Sequence, residues 1–154
     1  MTVKKTFQRI TEGPGIDGLK ALKNRKIKVG ILQGLGEHPK GDGETFAEIA
    51  FWNEFGTSRI PPRPFMRNTF REQREAYTKL VKLVIQRLVT FKETERSAAT
   101  KMGLKVQSDI QRTITNLSTP PNAPSTVRKK RGKANPLIDS GKLRQAISFE
   151  VIDD

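Results

Sequence analysis

Cysteine is absent from this 154-residue chain, and histidine, tryptophan and tyrosine each occur once. Without thiols there is no disulfide, no thiolate metal site and no thiol nucleophile, which suits a protein made in a reducing cytoplasm. Long hydrophobic runs are also missing. No stretch is apolar for long enough to cross a bilayer. Met1 to Ile10 carries charge but no apolar run, so it does not read as a signal peptide. Hydrophobic residues make up only 34% of the chain and charged ones 29%. That composition predicts a modest core, with part of the burial supplied by neighbours in an assembly. What the chain has in quantity is positive charge: the net charge is +13 and the pI about 10.3. Such a chain is drawn to polyanions, whether nucleic acid, an acidic membrane or an acidic protein surface.

Hydrophobic periodicity divides the chain into a mixed set of elements. Thr2 to Thr11 reads weakly as a strand through Val3, Phe7 and Ile10, and Gly13-Pro14-Gly15 breaks it. Ile16, Leu19 and Leu22 recur at helical spacing, with Asp17 early and Lys23, Arg25 and Lys26 late, the charge order that complements a helix dipole. Ile27 to Gln33 alternates as a half-buried strand does. Gly34 to Glu44, rich in glycine, is a loop. Thr45 to Phe55 is apolar and ambiguous, and reads as a strand or as a helical turn leading into one. Phe65 to Phe91 carries one apolar stripe (Phe70, Tyr77, Leu80, Val81, Val84, Leu88, Phe91), and Glu93 to Leu117 carries a second. Ser118 to Asn135 holds prolines, serines and a basic run, the composition of an exposed arm. Ile147, Phe149 and Val151 alternate in a closing strand. The sum is an α+β fold in one domain, 1–154. It would have a small, mainly antiparallel sheet of about four strands packed by one or two long helices, with an extended basic arm or loop at 118–136.

Few residues suggest chemistry. Gly34-Leu35-Gly36-Glu37-His38-Pro39 follows a strand, as a dinucleotide loop does, but Pro39 stands where the third glycine belongs. His38 with Glu37, Asp42 and Glu44 has oxygen donors nearby, yet the spacing matches no calcium loop and no nucleophile accompanies the histidine. Glu93 and Glu95 lie two apart and face differently on a helix. Asp139-Ser140-Gly141 is a common turn sequence, and Ser140 is placed to cap a short helix at Lys142 to Gln145. No metal, cofactor or catalytic set is expected. The basic run Arg128, Lys129, Lys130, Arg131 and Lys133 suits phosphate contact without sequence reading, because clustered cations release counterions. It contains no aromatic on which a base could stack. The same run reads equally as a solvated arm or as a contact for an acidic protein.

Two stretches stand out as architecture. In Asn53-Glu54-Phe55-Gly56-Thr57 and Ile60-Pro61-Pro62-Arg63-Pro64-Phe65-Met66-Arg67, Gly56 allows a positive-φ turn and three closely spaced prolines stiffen the loop. Phe65 then seats in the subunit's own core or in a neighbour. Phe51 and Trp52, on opposite faces of a strand, would put one aromatic inside and one outward. The second stretch is Pro136-Leu137-Ile138-Asp139-Ser140-Gly141-Lys142-Leu143-Arg144, before the closing strand.

In sequence and in order, these two stretches resemble those of the phage virion-morphogenesis proteins, also called tail-completion, head–tail joining or minor tail proteins. The resemblance spans about Ile27 to Val151. It implies a structural virion protein of the neck or upper tail, made in the host cytoplasm, without enzymatic activity or cofactor. It implies self-association, often as a sixfold ring around the DNA channel, beside neck, connector or tail-tube proteins, and no membrane. Glu54, Phe55, Gly56, Thr57, Pro61, Pro64 and Phe65 map onto the first family stretch, and Leu137, Asp139, Ser140, Gly141 and Leu143 onto the second. With Trp52 and Arg63 they form the expected subunit interface. A non-specific nucleic-acid-binding protein using the basic arm is the alternative.

Overall fold

The chain is described by a computed structural model over residues 14–32, 43–90 and 92–153. In chain order the elements are α1 (Pro14–Lys23), β1 (Arg25–Ile31), α2 (Phe46–Phe55), α3 (Phe65–Glu72), α4 (Arg74–Val89), α5 (Glu95–Asn116), α6 (Pro124–Lys129), α7 (Lys142–Gln145) and β2 (Ile147–Asp153). The strands pair antiparallel from Arg25 opposite Asp153 to Ile31 opposite Ile147. Period-2 alternation puts Ile27, Val29 and Ile31 on one face with Ile147, Phe149 and Val151, and α5 packs on that face. Lys26, Lys28 and Glu150 point from the other face into solvent. Gly103 lets α5 approach the sheet: a Cβ there would overlap the Phe149 ring.

This architecture corrects the expected four-stranded sheet. Among the described residues the sheet has two strands and the fold is mainly helical. Thr45 to Phe55 is the clearest reversal. Thr45 and Glu48 close a capping box, with Glu48 N–H donating to the threonine hydroxyl (3.2 Å) and Thr45 N–H to the Glu48 carboxylate (2.8 Å). These bonds satisfy amide donors that a helix start otherwise leaves bare. Phe46, Ala50 and Glu54, four apart, then form the buried stripe. The expected strand at Thr2 to Thr11 lies outside the described residues, as does most of the Gly34 to Glu44 loop.

The single long helix expected from Phe65 to Phe91 is jointed at Gln73, and Phe91 lies outside the described residues. Hydrogen bonds continue across the joint, from Gln73 N–H to Thr69 O and from Tyr77 N–H to Gln73 O. Thr69 is fully buried. Its hydroxyl bonds the Phe65 carbonyl one turn back and the Thr113 hydroxyl on α5, both at 2.7 Å. Such back-bonding bends helices. Here it holds α3 on α5 while α4 departs towards α1.

Two apolar clusters result. Phe65, Ile110, Ile114 and Ile147 are fully buried and pack with Ala50, Leu137 and Leu143. Burying a phenylalanine such as Phe65 is worth about 1.5–3 kcal/mol. A smaller cluster joins Val84 and Leu88 of α4 to Ala98 of α5, with Leu19 and Leu22 of α1 against it.

Candidate functional site

The first sequence stretch works as a joint between α2 and α3. The N-cap of α3 is Pro64, which offers no side-chain acceptor. Glu54 supplies it from the last turn of α2: its carboxylate accepts the Met66 N–H at 2.9 Å and the Arg67 N–H at 3.0 Å. Arg67 reaches back, donating Nε to the same carboxylate at 3.0 Å and an NH2 proton to the Glu54 carbonyl at 2.6 Å. Its guanidinium lies 4.9 Å from the centre of the exposed Phe55 ring, a cation–π distance. Gly56 turns the chain at φ +80°, and a Cβ there would come within 2.9 Å of the Ile60 carbonyl. The positive-φ turn ends a helix here, where sequence reasoning placed a strand.

Arg63 is buried and ties this joint to the basic loop. It donates Nε to the Pro120 carbonyl at 3.0 Å and NH2 to the Pro121 carbonyl at 3.1 Å. Burial pulls its pKa below the usual arginine value, and several acceptors keep the charge satisfied. Asn122 donates to the Asn135 carbonyl (3.3 Å), and Asn135 donates to the Thr115 carbonyl (2.8 Å) while accepting Leu137 N–H and Ile138 N–H. Of the expected loop or arm, segment 118–136 takes the form of a largely exposed loop that contains α6 and is tied to Arg63 just before α3, to the end of α5 and to the second stretch.

Within the basic run the cations divide. Lys130 spends its ammonium on the Asn135 carbonyl at 2.7 Å, and burial lowers its pKa from the ordinary lysine value. Lys133, although exposed, donates to the Asp139 carbonyl at 3.1 Å. Arg128, Lys129 and Arg131 stand exposed.

The second stretch meets the first at a cleft of about 140 Å³, lined by Ile49 and Asn53 on one side and by Lys130, Pro136, Leu137 and Asp139 to Leu143 on the other. Gly141 adopts φ +81° before α7, and the Ser140 hydroxyl accepts the Lys142 N–H at 3.4 Å. The residues expected to face a neighbour thus divide. Phe65, Leu137 and Leu143 fill the chain's own core, and Glu54 and Arg63 are buried in its joints. Phe55, Thr57, Pro61 and Ser140 are exposed, while Trp52, Gly56, Pro64, Asp139 and Gly141 are half-buried.

Of the pair Phe51 and Trp52, expected to put one aromatic outward, Phe51 is the exposed one: it is 59% exposed and packs tilted at 4.8 Å against Phe55, itself 55% exposed. The other exposed apolar residues escaped the sequence reading. On α3 and α4, Phe70, Val81, Leu83, Ile85 and Val89 are exposed, and Leu104 is exposed on α5. Where α4 departs from α5 it leaves an open apolar groove of about 380 Å³ between β1, α4 and α5, lined by Ile27, Val29, Phe70, Tyr77, Leu80, Met102 and Val106. Beside it Arg74, Thr78, Val81 and Lys82 flank Phe70 and Tyr77 in a shallower extension. The available signal was that α4 has apolar residues on more of its circumference than one stripe needs.

One ionisable cluster is held within a single helix. Asp109, buried on α5, takes an ammonium proton from Lys105 and a guanidinium proton from Arg112. Burial and the Asp109 charge push the neighbouring Tyr77 hydroxyl's pKa far up, so it holds its proton at neutral pH. Among the described residues no group of three or more histidine, cysteine, aspartate or glutamate side chains is placed to hold a metal ion, and no helix is long and apolar enough to cross a membrane. Comparison with family models, with curated proteins and with solved structures finds no match.

Proposed function

We propose that the protein is a structural subunit of a phage neck or upper tail, acting in tail completion, tail termination or head–tail joining and assembling as a ring around the DNA channel. Its neighbours in this reading are other copies of itself and connector or tail-tube proteins. The family assignment rests on the two stretches described from the sequence. The observation that carries the assembly reading is the exposed apolar surface: among the described residues, eight large hydrophobic side chains are between 38% and 59% exposed on a chain with few hydrophobic residues to spare. Scattered exposed apolar residues are ordinary, but an aromatic pair and an open apolar groove mark contact sites. The charges within the first stretch also cap, bind carbonyls and brace loops, which is architectural work.

Light scattering on the purified protein, at low and high salt, with and without tail tubes, tests the reading. A discrete multimer, or a monomer that assembles on tubes, supports it. A monomer at every concentration that also ignores tubes overturns it.

A second reading is supported by Arg128, Lys129 and Arg131, which stand together in solvent on and after α6. They suit non-specific contact with duplex phosphates in the channel. Replacing all three by serine should weaken DNA binding for every sequence and flatten its salt dependence by about one unit of slope per cation. Unchanged binding would remove this reading.

A further inference from the structure

Among the described residues, β1 has β2 along one edge and no strand along the other. The open apolar groove lies on that second side. Ile27 and Val29 of β1 line it with Phe70, Tyr77 and Leu80 of α3 and α4, and no described residue of β2 takes part. The roof over it is incomplete, because α5 packs across both strands while α4 packs mainly on α1. An occupant of the groove therefore lies along the backbone edge of β1, and that edge decides its conformation. A helix satisfies its own amides, so it would shut the β1 donors and acceptors away from water without partners, at a cost. An extended segment pairs with them and sends every second side chain into the groove.

Charge decides the composition. Among the described residues no carboxylate lines the groove or its shallow extension, and Arg74 and Lys82 flank the extension. On the outer face of the sheet Lys26 and Lys28 are exposed. The other edge of β1 already shows what such a strand accepts: Phe149 and Val151 of β2 lie on the α5 face, and Glu150 stands across from Lys28. Opposite charges facing across a strand pair are favourable, and like charges are not. We propose that the groove and the free edge of β1 bind an extended acidic segment of another protein, with apolar residues at alternate positions in the groove and carboxylates between them beside Lys26 and Lys28. The chain itself offers no such segment. Residues 1–13 carry Lys4, Lys5 and Arg9 against the one carboxylate of Glu12. In a second copy β2 is already paired and β1 is itself basic. The contact goes beyond the neck-or-tail reading and does not rest on it.

The test adds a dye-labelled nine-residue peptide, alternating valine and glutamate, to the full chain and follows fluorescence anisotropy. The peptide should bind and should slow hydrogen exchange at the β1 amides that face away from β2. Successive N–H groups of a strand point to opposite edges, so methylating every valine amide or every glutamate amide blocks one edge only. One of these two peptides should bind about 10-fold weaker or worse, through lost main-chain bonds, and the other should bind like the parent. Lysine in place of glutamate should weaken binding by about 10-fold, through like charges across the strand pair. Phe70→Ala, at a half-exposed position, should keep the wild-type circular dichroism and melting temperature and weaken binding by roughly 10-fold. Parent-like binding by both methylated peptides would overturn strand pairing. Equal binding by a peptide of the same composition with its valines in one block would overturn the alternating contact. Slow exchange along that edge before peptide is added would show it already taken by this chain or another copy, which overturns the proposal, as does a failure to bind at about 1 mM peptide. The mass of the peptide-free protein decides the assembly reading separately.

Discussion

Replacing Glu54 should cost more stability than any ion pair at its position suggests, because its main partners are amides. Its side chain is 7% exposed, whereas that of Arg67 is 58% exposed. A pair with one member so wetted contributes about 0–1 kcal/mol. The two amide protons of Met66 and Arg67 are different: Pro64 cannot cap them, and they point at a carboxylate that little water reaches. Leaving buried donors unmet costs about 1–3 kcal/mol each. Removing a negative charge from a helix N-terminus adds about 0.3–1 kcal/mol. Solvent entering the vacated space recovers part of this, so Glu54→Ala should lose about 3 kcal/mol. Glu54→Gln keeps one acceptor oxygen and should lose about half as much, while Arg67→Ala should lose under about 1 kcal/mol. Urea unfolding followed by circular dichroism reads all three from midpoint shifts at constant slope. The reasoning fails if Arg67→Ala matches Glu54→Ala, which would make the ion pair the source, or if Glu54→Ala loses less than about 0.5 kcal/mol.

Arg63→Ala should free the basic loop from Pro120 and Pro121, lowering stability by about 1.5–3 kcal/mol through the lost charged hydrogen bonds and raising trypsin cleavage after Arg128 to Lys133; an unchanged digest would show that the asparagine ties suffice. Gly103→Ala places a methyl group where it overlaps the Phe149 ring and should cost about 2–3 kcal/mol, whereas Gly132→Ala, with open space around it but φ +83°, should cost about 1 kcal/mol through backbone strain alone; equal losses in the two variants would refute the packing argument. Glu93 has its pKa lowered, chiefly by a hydrogen bond from Lys101 and also by the Ser97 hydroxyl, against the opposing effect of burial. A carboxyl with a depressed folded-state pKa contributes stability above its unfolded value of about 4.3 and loses it as pH falls through the folded value. Glu93→Gln should therefore flatten the acid side of the stability profile below that pH, and a wild-type acid slope in the variant would show that the pair is idle.

The elements with a single clear period were legible in the sequence. The second long helix, expected from Glu93 to Leu117, runs from Glu95 to Asn116, and the closing strand begins at Ile147 as its alternation indicates. The short helix at Lys142–Gln145 also forms where expected, but Ser140 does not cap it: the N-cap is Gly141, with no side-chain cap bond, and the Ser140 hydroxyl makes only a long turn contact with the Lys142 N–H. Thr45 to Phe55 misled because it is apolar at most positions, so period-2 and helical readings both fit it. The decisive feature was the threonine–glutamate pair three apart, a start signal independent of periodicity. The Gln73 joint depends on Thr69 meeting Thr113 of another helix, and no local pattern carries that. For the candidate site, the sequence marked both motif stretches but not their division into core, joint and surface. Glu54 and Arg63 stand among the expected interface residues, yet each is consumed by backbone groups of its own chain, Glu54 by those 12 and 13 positions on and Arg63 by those 57 and 58 positions on. Their acceptors and donors are carbonyls and amides, which have no residue type to be read.

The antiparallel pair of strands also sets a timetable for synthesis. Gly30 and Ser148, joined across the sheet, are 118 positions apart. At roughly 5–20 residues per second, β1 leaves the ribosome about 6–24 s before its partner exists. Throughout that interval the β1 edge that β2 will pair is open, and once α5 has been made, late in the interval, its face that Ile147 and Phe149 will cover stands open too. An unpaired strand edge invites pairing with a neighbouring nascent chain. Lys26 and Lys28, which project from β1 into solvent, oppose that error, since sister strands meeting edge to edge would bring lysine against lysine. Of the two strands, β2 brings a carboxylate to this face, where Glu150 stands opposite Lys28. The same lysine that holds sister chains apart during translation thus favours the correct strand when it arrives.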